Sequence, residues 1–511
     1  MQGAKKFFSV AASWLLVFLW ANFTSVAQTE RKILTAEDYA RAEKFLSQYT
    51  EPLVFGGSVQ PNWIDENCFW HRNNILEGYE FILVDIEKKQ RKRAFDHQKL
   101  AEALSKASGE SYEPFKLPFR NIEFSSDRNF LMFTVDSIHY KYDLQKNLCT
   151  EIEKKKEIDR NVFVSPDGKL GAFIRDYNLW VKDLTTGEET QLTKDGIKDF
   201  GYATNNAGWI KSERPVLLWS PDSKKIATFQ HDGRKVGEMY LVTTDVGHPK
   251  LEAWKYPLPG DDFIFQIHRV VIHLDGSRVV QLQMPPDQHR STITDHIALR
   301  NGELADAEWS PDSSQFAFAS VSRDHKHVVL RIADPETGEV RDILEEKVDT
   351  FFESGFNKVN WHILPESNEV LWFSQRDDWG HLYLYDLDTG KLKRRLTKGS
   401  WNVLQVLRID REERVIYFTG CGREKGDPYF QYLYRVSLNG SEIELLTPEN
   451  SNHTITFSPS GQYFVHSYST PEEPPVSEVC DLNGRKLFSL EKADISSLIK
   501  GSPPEKANAT T

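Results

Sequence analysis

Beyond Ala21 this chain of 511 residues has no run that approaches the roughly 20 apolar residues a membrane helix requires, which excludes helical spans from its bulk. Cysteine is scarce. Cys68, Cys149, Cys421 and Cys480 lie far apart, without the close pair spacing of a zinc site. In an oxidising compartment they permit up to two disulfides in three connectivities, and four buried free thiols satisfy the sequence equally. Basic charge is not in excess either: 63 Lys and Arg stand against 75 Asp and Glu, a formal net charge of −12. The footprint of a nucleic-acid binder is therefore missing. The one basic run, Lys88-Lys89-Gln90-Arg91-Lys92-Arg93, sits beside acidic neighbours and reads as a solvated hairpin tip or strand edge. No Gly-x-Ser-x-Gly elbow, His-Glu-x-x-His pair or Gly-x-x-x-x-Gly-Lys loop occurs, so three common carriers of hydrolytic and nucleotide chemistry are lacking.

What is present is repetition. Trp219-Ser220-Pro221-Asp222-Ser223, followed by an alternating apolar run, returns as Val164-Ser165-Pro166-Asp167-Gly168, Trp309-Ser310-Pro311-Asp312-Ser313 and Phe457-Ser458-Pro459-Ser460-Gly461. Weaker copies are Phe124-Ser125-Ser126-Asp127 and Trp361-His362-Ile363-Leu364-Pro365-Glu366. Proline fixes φ at the turn's second position, and Asp and Gly tolerate the reversal that follows, so each copy predicts two strands joined by a tight turn. A second phrase, Asp183-Leu184-Thr185-Thr186-Gly187, recurs as Asp334-Pro335-Glu336-Thr337-Gly338 and Asp386-Leu387-Asp388-Thr389-Gly390. It marks a third strand entering a hairpin. Short fourth strands then close on Leu192-Thr193, Leu396-Thr397 and Leu446-Thr447.

Four antiparallel strands repeated at roughly 40–50 residues predict an all-β propeller, because a single blade leaves a face unburied until the ring closes. Units are read near 68–120, 121–155, 160–195, 215–260, 263–300, 304–347, 356–398 and 402–447, with a last hairpin at 454–490. These partial units predict eight blades, with the last hairpin completing the first.

The ends differ in character. Lys5-Lys6, an apolar run from Phe7 to Ala21 and a Ser25-Val26-Ala27 site predict a secretory signal peptide over 1–27, hence a periplasmic or secreted product with no membrane span after cleavage. A lead-in over 28–67 carries a helix from Thr35, with Thr as N-cap and acids in its first turn. The propeller is drawn over 68–498, with a helical insertion at Asp96–Ala107 that puts Leu100, Ala103 and Leu104 on one face. The polar, Pro-containing 499–511 reads as linker or disordered tail.

The repeat phrasing, together with Gln375-Arg376-Asp377-Asp378-Trp379-Gly380-His381-Leu382-Tyr383-Leu384-Tyr385-Asp386, Leu396-Thr397-Lys398-Gly399-Ser400-Trp401 and Gly237-Glu238-Met239-Tyr240, resembles the N-terminal propeller of dipeptidyl peptidase IV-like serine peptidases over about Tyr39 to Leu498. The resemblance implies an eight-bladed propeller that gates and positions peptides. In the family an α/β-hydrolase domain with a Ser-Asp-His triad follows, and no residue here matches that triad. Catalytic residues, cofactors and metals are thus expected to be none, and partners are peptides with a separately encoded hydrolase domain or a homodimer partner. Family members hold the substrate amine with two adjacent glutamates; counting back from Trp219, their places fall at Gly208 and Trp209, and only Glu213 nearby is acidic. Glu213 is flanked by Lys211 and Arg214, which suits a surface salt bridge. With Glu213, the hairpin residues Arg376, Asp377, Asp378 and Trp379 form the candidate substrate-binding set. Ser322-Arg323-Asp324-His325 places three suggestive residue types together, but reads as an ordinary solvated polar segment rather than a triad, whose members must converge in space beside an oxyanion hole. Two other readings are a freestanding TolB-like scaffold propeller and a glycosidase using Asp261-Asp262, whose side chains diverge on a strand.

Overall fold

A computed structural model describes residues 33–153, 159–204, 212–244, 246–288, 303–354, 360–440 and 442–501. The expected signal peptide and most of the expected tail lie outside them. Helix α1 (Ala36–Glu43) begins as its sequence predicts: the Thr35 hydroxyl accepts from the Asp38 N–H, and the Asp38 carboxylate accepts from the Thr35 N–H. Helix α2 (His97–Ser108) is capped by Asp96 and ends at Gly109 in the left-handed region, with Leu100, Ala101 and Leu104 buried.

The described residues otherwise build seven four-stranded antiparallel sheets, one six-stranded sheet and a separate two-stranded hairpin. In chain order the sheets span 62–93, 123–152, 163–191, 200–288, 307–347, 362–395, 402–445 and 452–492, the fourth being the six-stranded one. The opening strand of the first, Asn62–Trp63, lies ahead of the boundary expected at 68.

Local chemistry makes the repeats work. In Ser220-Pro221-Asp222-Ser223 the Ser220 hydroxyl accepts the Lys225 N–H at 2.9 Å and donates to Asp222 Oδ1 at 2.5 Å, and Ser223 takes φ +60°. The copies at Ser310 and Ser165 repeat these bonds. Asp183, Asp334 and Asp386 accept backbone N–H groups of the turn that follows them, and Gly187, Gly338 and Gly390 supply its positive φ. The Leu-Thr endings have a purpose too. The buried hydroxyls of Thr193, Thr397 and Thr447 accept the N–H of Leu179, Leu382 and Leu433 at 2.9, 3.0 and 2.9 Å, tying each closing segment to the third strand.

The same phrases join consecutive sheets. Trp219 Nε1 donates to the Phe163 carbonyl and Trp309 Nε1 to the Leu218 carbonyl, each at 3.2 Å, so each indole reaches back to the preceding sheet's repeat. Both rings are buried, at 5% and 6% exposure. Asp167 N donates to Ser223 Oγ and Asp222 N to Ser313 Oγ, again at 3.2 Å. Among the described residues, seven apolar clusters each straddle two sheets; six join sheets consecutive in the chain, and one joins the first sheet to the last through Phe69, Ile82, Val84, Val465, Val479 and Leu490.

Two expectations need correction. First, the units read at 215–260 and 263–300 are one sheet: Lys225–Asp232 pairs with Gln266–His273 along all eight residues, leaving 238–255 as a projecting hairpin. Second, 454–490 is not a hairpin completing the first blade but a four-stranded sheet of its own. The ends meet by contact instead: Phe55 and Asp494 exchange backbone hydrogen bonds at 3.0 and 2.7 Å, and Val59 N donates to Ser467 Oγ and Ser477 Oγ at 3.1 Å. The basic run takes part, since its edge strand Gln90–Arg93 sends Arg91 Nε to Glu491 Oε1 at 2.9 Å. Between the disulfides and free thiols that the sequence leaves open, the structure has all four cysteines free, with Cys68, Cys149 and Cys480 buried and Cys421 half-buried.

Candidate functional site

The hairpin between strands Glu369–Ser374 and His381–Asp386 is held from below by a buried carboxylate. Glu346, on the fifth sheet's last strand, accepts Trp372 Nε1 at 2.8 Å, Ser374 Oγ at 2.6 Å and Arg376 Nη2 at 2.9 Å. Arg376 also donates through Nη1 to the Tyr385 hydroxyl at 2.7 Å, and its guanidinium lies 4.4 Å from the Tyr383 ring centroid. Burial opposes its charge, yet Glu346 and the Tyr385 hydroxyl keep its pKa above the ordinary arginine value. Asp377 Oδ2 accepts the Tyr383 hydroxyl at 2.7 Å and pairs with Arg395 Nη1, also at 2.7 Å, in a salt bridge. The Tyr383 hydrogen bond, and then the Arg395 charge, hold the Asp377 carboxyl below the usual carboxylate range. Asp378 sits at the turn with φ +66°, and Trp379 stands at the tip, 36% exposed.

Four of the five candidate residues are therefore together, but with unequal freedom. Arg376 and Asp377 have partners that fix their geometry, whereas Trp379 offers an exposed aromatic face on a rigid support. Glu346, Tyr383, Tyr385 and Arg395, which the sequence reading passed over, are the partners. Alternation along 381–386 puts Tyr383 and Tyr385 on one face, a detectable signal, while Glu346 comes from another sheet and left none.

Glu213 is elsewhere. It is exposed and accepts Asn161 Nδ2 at 3.3 Å on the rim of a cavity of about 610 Å³ lined by Phe173, Arg175, Tyr177, Lys182 and Glu189. The salt bridge expected from its neighbours does not form with Arg214, whose guanidinium instead donates to the Arg160 carbonyl at 2.6 Å and lies 5.0 Å from the Phe163 ring centroid. Lys211, Gly208 and Trp209 lie outside the described residues. Among those residues no hydrogen bond or ion pair joins Glu213 to the 376–379 hairpin.

Ser322-Arg323-Asp324-His325 is turn chemistry. The Ser322 hydroxyl donates to Asp324 at 2.6 Å and accepts the His327 N–H at 3.0 Å, while the His325 ring stacks on Phe351 at 4.6 Å. Asp261 is likewise committed, accepting the Leu258 N–H at 2.8 Å. Among the described residues, side chains with metal-ligand spacing gather only around His466 on the last sheet.

The family described as the dipeptidyl peptidase IV (DPP IV) N-terminal region matches residues 124–475, from the second sheet into the last. The chain belongs to the DPP IV N-terminal region family. Its relatives include dipeptidyl peptidase 4 of Trichophyton tonsurans, 24% identical over 365 residues, and that of Arthroderma otae, 26% identical over 365 residues. Each alignment covers 66% of this chain and 43% of the relative, so the chain spans less than half the length of those proteins. The crystal structure of Porphyromonas gingivalis dipeptidyl peptidase 4 superposes with a TM-score of 0.58 at 19% identity, covering 86% of this chain and 60% of that one. It shares the fold of this DPP IV N-terminal region. No helix among the described residues is long and apolar enough to cross a membrane.

Proposed function

We propose that this chain acts as the noncatalytic propeller of a dipeptidyl peptidase IV-like serine peptidase, holding and admitting peptides for proteolysis in the periplasm or outside the cell. In this reading the seven four-stranded sheets and the six-stranded sheet are its eight blades. A hydrolase domain, or a second copy, supplies the remaining partner surface. The observation that supports it best is the match over 124–475 to the N-terminal region of that family. A propeller can bind and orient a peptide, while nucleophile, base and oxyanion donors must come from elsewhere. The TolB-like scaffold reading is less favoured, because helix α2 and the 238–255 hairpin interrupt what would be short, regular blades.

The test uses the purified chain with a fluorogenic Xaa-Pro substrate, alongside calorimetry with matched free and acetylated peptides. No turnover is expected, and peptide binding is expected to weaken in Trp379→Ala. An amine preference worth about 1.5–3 kcal/mol per charged hydrogen bond, abolished by Glu213→Gln, would restore Glu213 as an anchor. Turnover that survives repurification and is blocked by a serine-directed fluorophosphonate would overturn the noncatalytic reading.

A further inference from the structure

The last sheet carries a buried polar stripe that packing alone does not call for. Across its strands His453 lies opposite Tyr468, His466 opposite Glu478, and Phe464 opposite Cys480. Side chains alternate along each strand, and residues directly opposite share a face, so His453, His466, Glu478 and Cys480 all point the same way. All four are buried. Glu449 precedes them on the segment that leads from the seventh sheet, half-buried.

The hydrogen bonds assign the protons. His453 Nε2 lies 2.9 Å from the Glu449 carbonyl oxygen, which only accepts, so that nitrogen carries the proton and Nδ1 presents a lone pair. That lone pair faces His466 Nδ1 at 3.3 Å. Two nitrogens each about 2.0–2.1 Å from a tetrahedral zinc ion stand about 3.3 Å apart. Glu449 Oε2 is buried with no hydrogen-bond partner among the described residues. A Glu449 carboxylate oxygen and one nitrogen from each histidine lie within 4.8 Å of one another. Behind the pair, His466 Nε2 is 3.8 Å from Glu478 Oε2 and 3.6 Å from Cys480 Sγ, and Lys486 Nζ fixes Glu478 at 2.5 Å. A histidine ligand backed by a carbonyl and another backed by a carboxylate is the arrangement that orients imidazoles toward a metal.

We propose that Glu449, His453 and His466 bind a zinc-class divalent transition-metal ion, with a fourth position open to water or a further ligand. Two imidazoles and one carboxylate suit such an ion better than calcium or magnesium, which take oxygen ligands. Binding needs no net proton release: the proton that His466 Nδ1 donates toward His453 in the free protein moves to Nε2, which faces Cys480 Sγ at 3.6 Å and Glu478 Oε2 at 3.8 Å. The alternative set of His466 Nε2, Glu478 and Cys480 is less suited, because Lys486 already neutralises Glu478.

The experiment titrates the metal-stripped full chain with Zn²⁺ against a chromophoric chelator, and records the visible spectrum after Co²⁺ substitution. One equivalent is expected, with a tetrahedral Co²⁺ spectrum and no thiolate charge-transfer band. Glu449→Gln and His453→Gln should each raise Kd by about tenfold or more, and Cys480→Ser should leave it within about threefold. Circular dichroism melts without metal establish that each variant is folded. Absence of saturable binding by the unaltered chain, wild-type affinity in both ligand variants, or a thiolate band with Co²⁺ would each overturn the assignment. The unaltered chain's Co²⁺ spectrum decides the ligand set even where a variant fails to fold.

Discussion

Replacing Arg269 is expected to be among the most damaging single changes in the molecule. Its side chain, 2% exposed, donates Nε to Asp287 Oδ2 at 2.7 Å and Nη2 to Asp306 Oδ2 at 2.5 Å, and its guanidinium lies 4.4 Å from the Phe318 ring centroid. Burial alone would lower the arginine pKa, but the charges of Asp306 and then Asp287 hold it above the ordinary value. The pair joins the fourth sheet to the entry of the fifth. Arg269→Met keeps much of the side-chain volume and removes the charge, leaving two inward-facing carboxylates. Asp287 retains the Ser320 hydroxyl at 2.9 Å and Arg331 at 3.7 Å, whereas Asp306 loses its 2.5 Å partner. Breaking a buried pair from one side costs about 3–5 kcal/mol, and that is the expected loss in urea denaturation at unchanged m-value. Adding Asp287→Asn and Asp306→Asn to Arg269→Met should recover a substantial part, because the buried carboxylate charges that Arg269 neutralised are then gone. A loss below about 1 kcal/mol, the range of exposed ion pairs, would refute the reasoning, as would a triple variant less stable than Arg269→Met.

Trp219→Ala and Trp309→Ala should each cost about 3–5 kcal/mol in the same assay, since a buried indole and its bond to the preceding sheet are both lost. Glycine offers a controlled pair: Gly187 and Gly390 both have positive φ, but a β-carbon at Gly187 would meet open space and at Gly390 would overlap the Ile343 carbonyl. Gly187→Ala should cost about 1–2 kcal/mol and Gly390→Ala clearly more; equal losses would remove the sheet-to-sheet contact from the explanation. His97 gives a pH dependence. Its Nε2 accepts the Phe81 N–H at 2.9 Å, and burial first, then the Arg93 charge, lowers its pKa from 6.5 to about 4. The unfolded chain therefore binds this proton more readily. The stabilisation is fully present above pH 6.5 and is lost as pH falls toward about 4, at a limiting slope of about 1.4 kcal/mol per pH unit. His97→Gln should flatten the urea-midpoint profile in that window, and an unchanged slope would count against it.

The sequence by itself determined what neighbours along the chain can decide. A Ser-Pro-Asp-Ser segment contains its own hydroxyl acceptor, its fixed φ and its left-handed fourth position, so the turn and the strands around it follow from residues within five positions of Ser220. The Thr35 cap, the edge strand at 90–93 and the Leu-Thr closures were legible for the same reason. So was the 376–379 hairpin, because alternation on either side of it is strong. Tertiary structure decided everything that depends on which sheet lies beside which. Strand 266–273 could not be assigned to its partner without the register that sets Lys225 against His273, and the ring's closure lies in the contacts of Phe55, Val59 and Arg91 with a sheet some 400 residues away. Glu346 beneath Arg376, Arg269 between two aspartates, and Glu449 beside a pair of histidines carry no signature in spacing. Their partners come from different strands or sheets, and a buried polar group acquires its meaning from the desolvated neighbours that satisfy it, which only the folded chain brings together.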